Sequence, residues 1–132
     1  MKAVIPLLLL LFVSVGISPA GAGERLSDGG WYAIRMQTDP SRPVVGDNTI
    51  TLTLLDRHTG TGVEGAVIEA VPWMTLHGHG STKKPRVREM GNGVYTITEV
   101  YFTMEGEWDL LLDIRKGGRK DAAVLTFKKV TP

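Results

Sequence analysis

The stretch Trp73-Met74-Thr75-Leu76-His77-Gly78-His79-Gly80 gathers two of the three His residues of the chain with a Met and a Trp inside eight positions. Imidazole and thioether are the side chains that bind copper. Thioether sulfur favours Cu(I), whereas two imidazoles alone lean toward Cu(II). A neighbouring Trp can lie against a bound cation through its ring face. The bland account is a polar turn, because two imidazoles without a third close ligand hold a metal weakly. A tetrahedral zinc site has less in its favour, since neither thiolates nor carboxylates stand near the His pair in sequence. Other chemistry is thin. The chain has no Cys, no nucleophile elbow and no phosphate-cradling Gly loop. Glu105, Glu107 and Asp109 cluster but flank a turn and lack a His or second acid at a predictable distance. Binding rather than catalysis is therefore expected.

The elements that must position the His pair are strands. From Trp31 onward the chain breaks into short segments rich in β-branched and aromatic residues, each ended by Gly, Pro, Asn or Asp. No window of helical length carries apolar residues at three- and four-residue spacing. Segments 31–37, 49–54, 66–74, 86–90, 94–102, 106–114 and 122–130 read as strands. In the second, Ile50, Leu52 and Leu54 alternate with Thr49, Thr51 and Thr53, the period of a half-buried strand. In the sixth, Trp108, Leu110, Leu112 and Ile114 face inward against Asp109 and Asp113. Gly91-Asn92-Gly93 carries the strongest hairpin signal, and Lys116-Gly117-Gly118-Arg119 marks a second hairpin. Trp31, Trp108, Tyr95, Tyr101 and Phe127 are expected in core or cross-strand packing. About seven short antiparallel strands suggest an all-β, immunoglobulin-like two-sheet sandwich, with a small β-barrel as the alternative.

That arrangement tests which ligands can meet. If successive strands run up and down, segment 66–74 ends at the pole where 94–102 ends and 106–114 begins. Met74, His77, His79 and Met104 then share one pole, and these four are the candidate metal ligands. Adjacent strand residues face opposite ways, so one of Trp73 and Met74 belongs to the core. Met90 and His58 fall at the opposite pole and are excluded.

The N-terminus reads as an export signal. Lys2 precedes an apolar run from Ala3 to Val15, and small residues follow from Gly16 to Gly23. Ser18-Pro19-Ala20 favours cleavage after Ala20, with Ala20-Gly21-Ala22 as a second choice two residues later, and the first gives a signal peptide at 1–20 and one domain at 21–132. The apolar run is short of the roughly 20 residues that span a bilayer, and nothing later is apolar enough to do so. Of 132 residues, 112 remain after that cut, enough for a core without disulfide staples. The remaining chain has 14 basic and 14 acidic residues. This balance argues against nucleic acid or an anionic membrane as partner. The one basic cluster, Lys83, Lys84, Arg86 and Arg88, reads as a solvated face.

Over about 32–130 the sequence resembles the YtkA-like and FixH-like family of bacterial envelope domains. The resemblance rests on Gly46-Asp47-Asn48, Gly65-Ala66-Val67-Ile68, the region from Pro72 through His79-Gly80, Gly91-Asn92-Gly93-Val94-Tyr95 and Met104-Glu105-Gly106-Glu107-Trp108. It implies an immunoglobulin-like sandwich outside the cytoplasmic membrane, in a family often linked with copper handling or cytochrome oxidase maturation. Carried over, the metal positions are Met74, His77 and His79, with Met104 as a fourth. FixH-like members keep an N-terminal membrane span, and the signal-like start here departs from that. The expectation is a periplasmic or secreted copper-binding module that delivers its ion to an envelope protein partner. The alternative is a metal-free envelope interaction domain.

Overall fold

The computed structural model describes residues 23–132, so the expected signal peptide at 1–20 and its expected cleavage point lie outside the described residues. Among the described residues nine strands occur: β1 (Arg25–Leu26), β2 (Tyr32–Asp39), β3 (Gly46–Asp56), β4 (Val67–Met74), β5 (His79–Gly80), β6 (Arg86–Gly91), β7 (Val94–Phe102), β8 (Gly106–Lys116) and β9 (Arg119–Val130). One sheet has the order β1-β2-β3-β7-β6 and the other β5-β4-β8-β9. The pairings between named strands are antiparallel. Without the two-residue strands β1 and β5, the orders are β2-β3-β7-β6 and β4-β8-β9. This is the four-plus-three arrangement of the seven-strand immunoglobulin constant-type sandwich. The seven expected strands are present, and β1 and β5 add to them. Two-residue strands have too little alternation to be read from sequence.

Period two decides what fills the space between the sheets. Ile50, Leu52 and Leu54 from β3, Tyr95 and Ile97 from β7, and Trp108, Leu110, Leu112 and Ile114 from β8 are all buried there. Trp108 is wholly buried and packs against Phe102 at a ring-centroid distance of 5.2 Å. Removing a core aromatic of this kind costs about 3–5 kcal/mol. Asn48 also falls on the inner phase of β3 and is 2% exposed. Its amide is fully used: Oδ1 accepts from Val44 N at 3.0 Å, while Nδ2 donates to Val44 O, Gly46 O and Val100 O. A buried amide bonded this way fixes the approach to β3 without an unpaired polar group.

Asn92 and Gly93 close the β6–β7 hairpin with φ of 54° and 79°. Positive φ at both central residues is what a type I′ turn requires and Asn-Gly tolerates. At this pole the Tyr95 hydroxyl donates to Val63 O at 2.8 Å and accepts from Ala66 N at 3.0 Å, pinning the β3–β4 connection. His58 and Met90 lie at this end as well, consistent with their exclusion.

Of core and cross-strand packing, Trp31 takes the second. Trp31 is 39% exposed rather than core, because Tyr32 is the first residue of β2 to turn inward. The Trp31 ring instead lies under the Arg119 guanidinium at 3.6 Å and edge-on to His58. The basic cluster behaves as a solvated face. Lys83 pairs with Asp47 at 2.8 Å and lies 4.9 Å from the Tyr101 ring centre, while Arg86 pairs with Glu99. Among the described residues, no helix is long and apolar enough to cross a membrane.

Candidate functional site

The segment Thr75–Gly78 joins β4 to β5 as a closed turn. His77 N and Gly78 N both donate to Met74 O, at 3.2 and 2.8 Å, and Gly78 takes φ 66°. Glycine accepts that left-handed backbone at no steric cost. The pairing Met74↔His79 and Trp73↔Gly80 then brings the chain back along β4. Gly80 sits close to its neighbours: a Cβ there would come a little tightly to Pro72 O at 3.3 Å and into ordinary contact with the Trp73 ring at 3.5 Å. The Gly residues of the His-Gly-His-Gly run are therefore the means by which the two imidazoles project from a fixed hairpin.

The His77 and His79 ring centres are 6.1 Å apart, tilted by 32°. His79 is half-buried and stands edge-on to Trp108 at 5.5 Å. Its Nδ1 lies 3.1 Å from Gly80 O. A carbonyl only accepts, so Nδ1 is the donor in this contact, and in a neutral ring the lone pair is then on Nε2. Imidazole held by a backbone carbonyl in this way is the usual second-sphere arrangement of a metal-binding His. His77 is exposed.

The opposite wall is the β7–β8 connection. Trp108 Nε1 donates to Met104 O at 2.9 Å, so one buried indole holds the Met104 turn on one side and His79 on the other. Met104 is 39% exposed. Met74 is 1% exposed and forms the floor, with its methyl 2.9 Å from where a Cβ on Gly106 would lie. Of Trp73 and Met74, it is thus Met74 that belongs to the core. Gly106, at φ 121°, makes room for it. All four expected residues lie at one pole, three reaching the surface and one beneath it.

Two supporting residues carry only weak sequence signals. Asp109 Oδ2 accepts from Thr75 Oγ1 at 2.9 Å and its Oδ1 from Thr126 Oγ1 at 2.7 Å, tying the start of the His turn to β8 and β9. Its outward phase on β8 gives the direction but not the partners. Leu76 is 84% exposed at the tip of the turn. A large apolar side chain between Thr75 and His77 is its only signal. Beside Met104, a recess of about 620 Å³ is lined by Val45, Met104, Glu105 and Pro132.

Among the described residues, no three His, Cys, Asp or Glu side chains converge on one point. Metal–nitrogen bonds of about 2 Å put two imidazoles on one ion at ring-centre separations of roughly 5–6 Å, close to the 6.1 Å found.

A family model described as YtkA-like matches residues 26–113, from β1 through most of β8 and across the whole candidate turn. Among solved structures, the chain is similar to a DUF4426 family protein from Pseudomonas aeruginosa PAO1. The TM-score is 0.54 and the identity 12%, covering 78% of this chain and 93% of that one. At that identity the likeness is one of fold. No curated protein matches the chain significantly. Since the matched span takes in most of the sandwich and more than half of the 132 residues, the chain belongs to the YtkA-like family.

Proposed function

We propose that this protein is an exported copper-binding module of the cell envelope that captures Cu(I) at one pole of its sandwich and passes it to a protein partner. The observation that carries the reading is the hairpin that projects His77 and His79 side by side, with Nε2 of His79 free and the Met104 turn fastened to the same indole. His77, His79 and Met104 are the accessible donors. Met74 lies buried beneath them. A donor set of imidazole and thioether without carboxylate selects a soft monovalent ion over hard cations. The export assignment rests on the Lys2 to Ala20 pattern.

The test is an anaerobic Cu(I) titration of residues 21–132 against a competing chelator, beside the His77→Ala, His79→Ala double variant. Capture from the chelator that the variant loses, with an unchanged circular dichroism spectrum, supports the reading. Equal behaviour of both proteins refutes it.

A second reading, a metal-free interaction domain, is favoured by the outer face of the β4-β8-β9 sheet. There Val71, Leu111 and Val124 align across three strands, with Val71 49% and Leu111 36% exposed. An apolar row on a sheet face is a feature of docking surfaces. Partner capture that survives the double variant but fails in Leu111→Asp is the outcome that selects this reading.

A further inference from the structure

The start of β8 is irregular where it meets β9. Gly106 pairs with Val130 and Trp108 with Phe127, so two steps along β8 match three along β9. The extra residue falls at Lys128–Lys129, both exposed, and lets Phe127 and Val130 turn inward together. A bulge of this kind re-aims the side chains beside it. Across the ladder from Phe127 stands Trp108, wholly buried. Phe102 packs on the Trp108 ring at 5.2 Å and on the Phe127 ring at 5.4 Å. An indole wedged among close-packed rings keeps one position.

What this fixed ring touches is the candidate site. Its Nε1 donates to Met104 O at 2.9 Å, four residues back along the chain, and so closes the β7–β8 turn onto the strand that follows. The His79 ring stands edge-on to the same indole at 5.5 Å. The two donors belong to different turns, one after β4 and one before β8, and a single buried group supports both. Phenylalanine at 108 would leave Met104 O without this donor and His79 without the indole wall.

We infer that Trp108 is the positioning residue of this pole: its buried indole sets where the His79 imidazole and the Met104 turn stand, so that both are placed before an ion arrives. The metal arm rests on the copper reading, whereas the placement is a property of the metal-free chain. Groups that orient metal ligands from behind typically carry about 10–100-fold in affinity.

The experiment compares residues 21–132 with Trp108→Phe, which keeps a core ring and removes the donor, and with Leu54→Ala, a core loss at the opposite pole beside Gly93. Trp108→Phe should weaken Cu(I) capture from a chelator about 10–100-fold, while Leu54→Ala lowers Tm and leaves capture unchanged. In the metal-free protein, NMR should show slow hydrogen exchange at Trp108 Nε1, and faster exchange of the Met104-turn amides in Trp108→Phe but not in Leu54→Ala. Capture by Trp108→Phe equal to that of the unsubstituted protein, or an equal loss in Leu54→Ala, overturns the inference and leaves the copper reading standing. A Trp108 Nε1 proton that exchanges as fast as that of the exposed Trp31 overturns it too, and this readout needs neither metal nor a folded variant. Failure of the unsubstituted protein to take Cu(I) overturns the copper reading and the metal arm together, and the exchange rates then decide the placement.

Discussion

Tyr95→Phe removes one oxygen and tests how the pole opposite the His pair is held. The phenol is 1% exposed, donates to Val63 O at 2.8 Å and accepts from Ala66 N at 3.0 Å. Burial pushes its pKa up, so it remains a protonated donor throughout the neutral range. Phenylalanine fills the same ring volume and leaves Val63 O without its partner in a buried setting and Ala66 N in a half-buried one. An unpaired buried group costs about 1–3 kcal/mol. With the half-buried amide counted lower, the expected loss is about 1.5–3 kcal/mol. For a domain of this size, each kcal/mol moves Tm by about 4 °C, giving a fall of roughly 6–12 °C by calorimetry. Urea unfolding should show an unchanged slope and a lower midpoint. Cu(I) affinity should be unaltered, because the hydroxyl acts at the far pole. A stability loss below about 0.5 kcal/mol would show that the clamp is not fastening the β3–β4 connection.

Met104→Leu should weaken Cu(I) capture about tenfold or more, while Met74→Leu, which keeps core volume at a cost below about 1.5 kcal/mol, should change it less; competition against a chelator ranks the two. Asp109→Ala frees Thr75 and Thr126 and should lower stability by about 1 kcal/mol, with broader His77 and His79 ring resonances by NMR. Gly93→Ala would put a Cβ 2.6 Å from Leu54 O at a residue with φ 79°, and should destabilise by about 2 kcal/mol or more in a thermal melt. Asp121 gives the acid limb. Partial burial opposes its charge, but bonds from Ser27 Oγ at 2.6 Å, Gly29 N at 2.7 Å and Ala122 N outweigh this and hold its pKa below the usual value. Its stabilisation is thus present above an ordinary carboxylate pKa of about 3.9 and is lost as pH falls through the lower folded value. Asp121→Ala should flatten the loss of Tm below about pH 4.

The sequence determined the strands and the faces they bury, because period two is a local property. Ile50, Leu52 and Leu54 against three threonines leave one solution, and Asn92-Gly93 marks its turn through the only backbone those residues favour. From the same alternation came the pole shared by Met74, His77, His79 and Met104, since up-and-down strands fix which ends meet. For Trp31 that logic left core and cross-strand packing open, because a residue just ahead of a strand takes its side from what lies across from it, here Arg119 of β9. Tertiary structure alone decided that Met74 rather than Trp73 turns inward, that Trp108 stands between His79 and the Met104 turn, and that Asp109 holds Thr75 from 34 residues away. These are contacts between strands distant in sequence. Their partners are chosen by register and sheet packing, and no spacing along one strand records which side chain will lie across from it.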